Sequence, residues 1–349
     1  MPTPNLFAYD PIGSVLVVAD DREVLVHRGA DEAPKWTHRV DGDLVGLGAG
    51  GDTVITLENK GKLTFFRGAD GVVLETIALG KEATSLAVTR NGSKCAVVVT
   101  DAVTIVCRDA EPIELPAAAA TAAAWSRDGA RLAVGDASGT VRILSAAGEE
   151  VGATRLEEPV ASLCFSPAGF WIATGGDRVF RVAEDGSSVE QITRTGGMKP
   201  DCVCASTDGS MFAVRLSDTV MIALALASRE TAVQLTYMER TIAGVAFGPD
   251  RLLGVGLAGG DGNIVDIQEK QLRRTDTFDG RPHNRWLVST VIKPEVLPPA
   301  PARAPIGVRD VTAEDLGPMP FSIAGLSILG WLGIIGALVL LALALNMCR

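Results

Sequence analysis

The sequence predicts an all-β fold of seven repeated units, followed by a Pro-rich stretch and one apolar helix. Three observations carry that prediction. Short turns recur about every 40 residues between residues 6 and 277. Each turn leads into a short run rich in Val, Ile, Leu and Ala. No stretch of this region spaces its apolar residues at the 3.6-residue period of an amphipathic helix.

The turns are Pro11-Ile12-Gly13, Gly50-Gly51-Asp52, Arg90-Asn91-Gly92, Arg127-Asp128-Gly129, Pro167-Ala168-Gly169, Thr207-Asp208-Gly209 and Gly248-Pro249-Asp250. The strands that follow them read SVLVVA, TVITLE, SKCAVVV, ARLAVG, FWIATG, SMFAVR and RLLGVG. A tight polar turn then leads to EVLVHR, KLTFFR, VTIVCR, TVRILS, RVFRVA, TVMIAL and NIVDIQ. A more polar strand closes each unit.

Residues 125–144 read WSRDGARLAVGDASGTVRIL, and Leu163-Cys164-Phe165-Ser166-Pro167-Ala168-Gly169 repeats the first half of that pattern. Here the chain resembles the WD-repeat family. The resemblance implies a seven-bladed WD-repeat-like β-propeller, one four-stranded antiparallel blade per repeat around a channel. The Trp-Asp pair that names the family is absent, with Leu144-Ser145 in its place, and so is the Gly-His pair. The buried Asp–His–Ser–Trp network of the family is therefore expected to be missing, leaving Val, Ile, Leu and Cys packing to hold the blades. Family members usually close the ring by lending a terminal strand to the last blade. Here the seventh unit is complete in itself, and the strand-like RWLVSTVIK of residues 285–293 is spare. The expected organisation is residues 1–278 propeller, 279–293 extra strand-like segment, 294–320 Pro-rich linker and 321–349 transmembrane helix and tail.

Ile323 to Leu345 form 23 residues without a charge. At 1.5 Å per residue a helix of that length crosses a hydrocarbon core of about 30 Å. No basic-then-apolar leader opens the chain, and Arg303 and Arg309 precede the run while Arg349 alone follows it. The expectation is a tail-anchored, single-pass membrane protein with a cytoplasmic N-terminal domain. Gly333 and Ala337 have the small-xxx-small spacing that lets two helices meet, so a homo-oligomer through this helix is one outcome. The linker prolines Pro294, Pro298, Pro299, Pro301, Pro305, Pro318 and Pro320 favour an extended spacer. The chain has 24 Arg and 8 Lys, which points to a GC-rich bacterial genome and so to a bacterial inner membrane over a eukaryotic organelle.

Residues 1–277 carry −11 of the net −10, because charges balance over 278–320 and Arg349 adds one positive charge. An acidic globular part argues against nucleic acid as partner, since phosphate binding needs a cationic surface. None of the six cysteines forms a CxxC pair; Cys95, Cys107, Cys164, Cys202 and Cys204 lie in apolar runs, which suits core packing in a reducing compartment. The three histidines stand apart from them, and His27 and His38 read as surface residues.

The turn between second and third strands carries an acid in most units: Asp21 beside Asp20, Glu58, Asp101, Asp136, Asp177, Asp218 and Asp261. In the resembled family these turns share one rim, so they would form a negative docking ring for a basic partner. Asp also favours tight turns because its side chain bonds nearby backbone N–H groups. Arg281, Arg285 and Trp286 beyond the repeats have the composition of an interface anchor. The Gly-rich run Ala258–Asn263 lacks the Lys-Ser/Thr of a P-loop and reads as a long inter-strand turn.

No GxSxG, HExxH or other catalytic frame is present, so neither catalytic nor metal nor cofactor residues are assigned. The functional expectation is a scaffold that recruits a cytosolic protein or complex to the membrane, with the lipid bilayer as second partner through Ile323 to Leu345. The alternative is a nucleotide-exchange regulator of a small GTPase, resembling the exchange factor that starts COPII coat assembly. That family uses an ion-binding Gly-rich loop in its first blade, where this chain has Ala19-Asp20-Asp21-Arg22. A third class, a hydrolase or redox enzyme at the channel mouth, lacks the His or metal clusters it needs.

Overall fold

A computed structural model describes residues 6–10, 15–28, 34–228, 231–237, 240–267 and 271–274. They form seven four-stranded antiparallel sheets, each made of four consecutive strands paired in chain order. The sheets are blades 1 to 7, over residues 7–39, 44–78, 83–116, 120–155, 160–194, 202–236 and 242–274. First strands of successive blades lie side by side, and Phe7–Tyr9 of blade 1 lies against Ile242–Phe247 of blade 7. The sheets therefore radiate from an inner ring of first strands, as the repeat period predicts.

There is no single core. Seven apolar clusters fill seven seams, one between each pair of neighbouring blades. Val17, Val26, Leu47 and Phe66 share the seam between blades 1 and 2; Trp171, Val203, Phe212 and Val214 share that between blades 5 and 6. Because a neighbour covers each face of a blade, the second and third strands are buried on both sides. All six residues of Gly169–Thr174 are buried, for example. This explains the continuous apolar runs in place of strict alternation. It also corrects the reading of His27 as a surface residue. His27 lies in the third strand of blade 1, Glu23–Arg28, and is 1% exposed, because that strand has no solvent face. The fourth strands are the outer edges, and those of blades 2, 3 and 4 carry only exposed and half-buried residues. Glu75, Glu114, Glu150 and Glu190 sit on these edges, where charge discourages pairing with another chain.

Among the described residues, blades 1 and 7 are each built from four consecutive strands of their own, and the ring closes between them. Leu6 N donates to Ala243 O at 3.1 Å, and the Phe7 and Tyr9 rings enter the seam beside Leu16, Val18, Leu25 and Ile264. Blade 7 makes room with glycine. A β-carbon on Gly254 or Gly256 would stand 2.5 or 2.7 Å from the Phe7 ring, and one on Gly248 2.3 Å from Tyr9.

Five first strands carry a bulge near their start, leaving Val45, Thr84, Thr121, Ala161 and Ala243 outside the ladder. A bulged residue frees its polar groups for other partners. Two of the bulges serve neighbouring blades: Thr121 Oγ1 donates to Val160 O at 2.7 Å, and Ala243 O takes the Leu6 N–H.

Candidate functional site

In a four-stranded meander the turns alternate ends. The turns between second and third strands therefore share one face with the links between blades, and the remaining turns share the other. Asp21, Asp101 and Asp218 stand exposed on the first face. Asp136 and Asp177 are half-buried there and tied into local structure. Asp136 Oδ1 accepts from Ser138 N at 2.8 Å, Ser138 Oγ at 2.7 Å and Thr140 N at 2.9 Å. Burial pushes the Asp136 carboxyl up, and these bonds outweigh it, so it titrates below the usual carboxylate range. Asp177 Oδ2 accepts from Gly197 N at 3.4 Å. Glu58 is buried, its Oε2 accepting from Gly42 N at 2.5 Å.

Asp261 opens the third strand of blade 7, and its side chain lies outside the described residues. So do Arg281, Arg285 and Trp286, the whole 279–293 segment, the 294–320 linker and the Ile323–Leu345 run. The Gly-rich run Ala258–Asn263 is a shorter turn than its composition predicts. Only Ala258–Gly260 link the strands; Asn263 is buried in the third strand and donates to Tyr237 Oη at 2.7 Å. In blade 1, Asp20 pairs with Glu23 across the turn residues Asp21 and Arg22, with Asp21 at φ 53°. That hairpin leaves no loop of the kind an exchange factor would fold around an ion.

The links add Asp41, Asp43 and Glu157 to this face, each met by a cation: Lys62 at 2.8 Å, Arg22 at 2.9 Å and Arg178 at 2.7 Å. Exposed pairs of this kind are screened by solvent and add little to stability. At the axis a small cavity of about 120 Å³ is lined by Thr84, Thr121, Ser162 and Asp201 among others. Behind it Arg215 is fully buried, its Nε donating to Asp201 Oδ1 at 2.6 Å and its Nη1 to Ile242 O at 2.9 Å. Sequence reasoning missed this pair. The sole hint was a charge ending the otherwise apolar strand Met211–Arg215.

Among the described residues, the opposite face carries a braced turn in blades 3, 4 and 6. Ser126 Oγ donates to Asp128 Oδ1 at 2.6 Å and accepts from Arg131 N at 2.9 Å. Ser206, Asp208 and Met211 repeat that arrangement in blade 6, and Thr89, Asn91 and Lys94 repeat it in blade 3. The residue after the Ser or Thr then reaches the channel. In blades 3 and 4 that residue is Arg90 and Arg127, and both border a cavity of about 300 Å³ walled by Tyr9, Trp125, Phe165 and Phe247. Among the described residues no group of three or more His, Cys, Asp or Glu side chains is placed to hold a metal ion.

The sequence model of the WD domain, G-beta repeat, matches residues 153–182, from the outer strand of blade 4 through the third strand of blade 5. Among solved structures, the chain is similar to the Myceliophteria thermophila Cps50 (Swd1) β-propeller domain, with a TM-score of 0.62 and 12% identity over 72% of this chain and 93% of that one. It is also similar to a chain of a mitotic checkpoint complex, with a TM-score of 0.61 and 14% identity over 73% of this chain and 87% of that one. No curated protein matches the sequence. At these identities the likeness shows the fold alone.

Proposed function

The fold is that of a divergent WD-repeat propeller, and on it we propose a membrane-tethered scaffold that recruits a soluble protein to the cytosolic side of the bilayer. The observation that carries this reading is a rigid ring whose face presents Asp21, Asp101 and Asp218 to solvent, in a chain that also contains the uncharged run Ile323–Leu345. Packed seams on both sides of every blade hold these carboxylates at fixed separations, which suits a partner with a basic surface. The apolar run supplies the tether, and the Pro-rich 294–320 stretch supplies the spacer.

The test has two arms. Membranes carrying the full chain are washed with alkaline carbonate, beside membranes carrying a chain ended before Ile323; the tether requires that only the full chain is retained. Crosslinked pull-downs then compare the full chain with one lacking residues 1–277 and with a D21K/D101K/D218K variant. A soluble protein captured by the full chain and lost in both variants supports the scaffold. Recovery of nothing above background overturns it.

A further inference from the structure

We propose that the channel mouth on the face opposite the acidic turns is a second binding site, for an acidic peptide segment that inserts one apolar side chain and sets a carboxylate between Arg90 and Arg127. Among the described residues that line this cavity, Arg90 and Arg127 are the charged ones, and both are positive, in a chain of net charge −10. Neither makes an ion pair among the described residues. Two unpaired guanidinium groups facing one opening attract carboxylates, which they can hold through forked hydrogen bonds.

The supports for both arginines are rigid. Arg127 rides on the Ser126–Asp128 turn, whose carboxylate is occupied by Ser126 Oγ at 2.6 Å and Ala130 N at 2.9 Å. Arg90 rides on the matching turn, where Asn91 Oδ1 accepts from Thr89 Oγ1 at 2.9 Å and Ser93 N at 3.1 Å. The neighbouring Asp128 is thus engaged in its own turn. Glu184, exposed on the outer rim, borders the same arginines from outside the mouth.

The walls fit the apolar half of the ligand. Phe165 is half-buried at the rim and held edge-on by Phe170 at 5.1 Å between ring centres. Trp125 is 5% exposed and its indole N–H has no acceptor among the described residues, which leaves a donor in the wall. A cavity of about 300 Å³ is at the small end of ligand pockets and suits one or two side chains rather than a folded partner.

The test is a selection of random heptapeptides on the purified full chain in detergent, followed by fluorescence polarisation with the most enriched peptide. The expected set pairs Asp or Glu with Leu, Ile or Phe. Binding should weaken at least tenfold in R90E and in R127E, and stay unchanged in R108E, an exposed arginine outside the mouth. Should a reversal lower the melting temperature, R90Q and R127Q make the same comparison. A selection with no enrichment, enrichment without acidic residues, or binding indifferent to Arg90 and Arg127 overturns the proposal. None of these outcomes bears on the acidic face, which the D21K/D101K/D218K variant reads separately.

Discussion

The Phe7 ring occupies the space a side chain on Gly256 would need: a β-carbon there would lie 2.7 Å from Phe7 Cδ2 and 2.8 Å from its Cβ. G256A is therefore expected to destabilise the fold by about 1–3 kcal/mol through overpacking. F7A alone should cost about 3–5 kcal/mol by emptying the closing seam. Because the two residues touch, the double variant should lose clearly less than the sum. Urea unfolding of the four proteins measures this, and simple additivity would show that the seam is not closed by this contact.

The Arg215–Asp201 pair should behave unlike the surface pairs. Arg215 is 0% exposed and its partner's side chain 28% exposed. D201N leaves a buried guanidinium short of its counter-ion, at a cost of about 3–5 kcal/mol. E157Q, which removes an 80% exposed partner of Arg178, should cost less than about 1 kcal/mol. Equal losses in urea midpoint would contradict the burial argument.

Acid sensitivity should arise in the braced turns. The Ser126 hydroxyl and Ala130 N–H hold the Asp128 carboxyl low. Burial raises that of Asp208, and Ser206, Ser210 and Arg251 outweigh it, leaving it well below the usual range. A carboxyl depressed on folding stabilises above its unfolded pKa of about 3.9, and that contribution fades as pH falls through the folded value. Stability should thus decline below about pH 4. D128N and D208N should be weaker at pH 7 but flatter in that acid window. Parallel pH profiles of the urea midpoint would refute the assignment.

Thiol chemistry offers a check on the seams. Burial raises the Cys95 thiol far above its ordinary value, and it raises Cys202 as well. Both are at most 4% exposed. Among the described cysteines, a thiol reagent at pH 8 should label the half-buried Cys107 first and leave Cys95 and Cys202 unmodified until denaturant is added. Mass spectrometry of timed samples reads the order.

Much of the fold was legible because blade stacking writes itself into composition. Strands covered on both faces become runs such as KCAVVV, and edge strands such as Val73–Ala78 keep their polar residues. The same rule misled at His27, where a polar side chain in a covered strand was read as exposed. The Phe7–Gly254 contact was not legible, since each residue taken alone is an ordinary strand member and the two are far apart in the chain. Arg215 and Asp201 are only 14 positions apart, but nothing in the sequence marks Asp201 as the partner of the charge that ends Met211–Arg215. Arg90 and Arg127 lay in turns already recognised, but only the ring shows that these turn positions point at a shared opening.

Closure by the first strand also sets a timetable for synthesis. The contact from Leu6 to Ala243 joins residues made about 240 positions apart. At ~5–20 residues per second, translation takes on the order of tens of seconds to supply the partner. During that interval Phe7 and Tyr9 are aromatic side chains waiting without a seam, and the half-built ring has an open apolar flank. The nascent chain is thus most vulnerable at its beginning, and a chaperone that engages early would be protecting residues whose native neighbours do not yet exist.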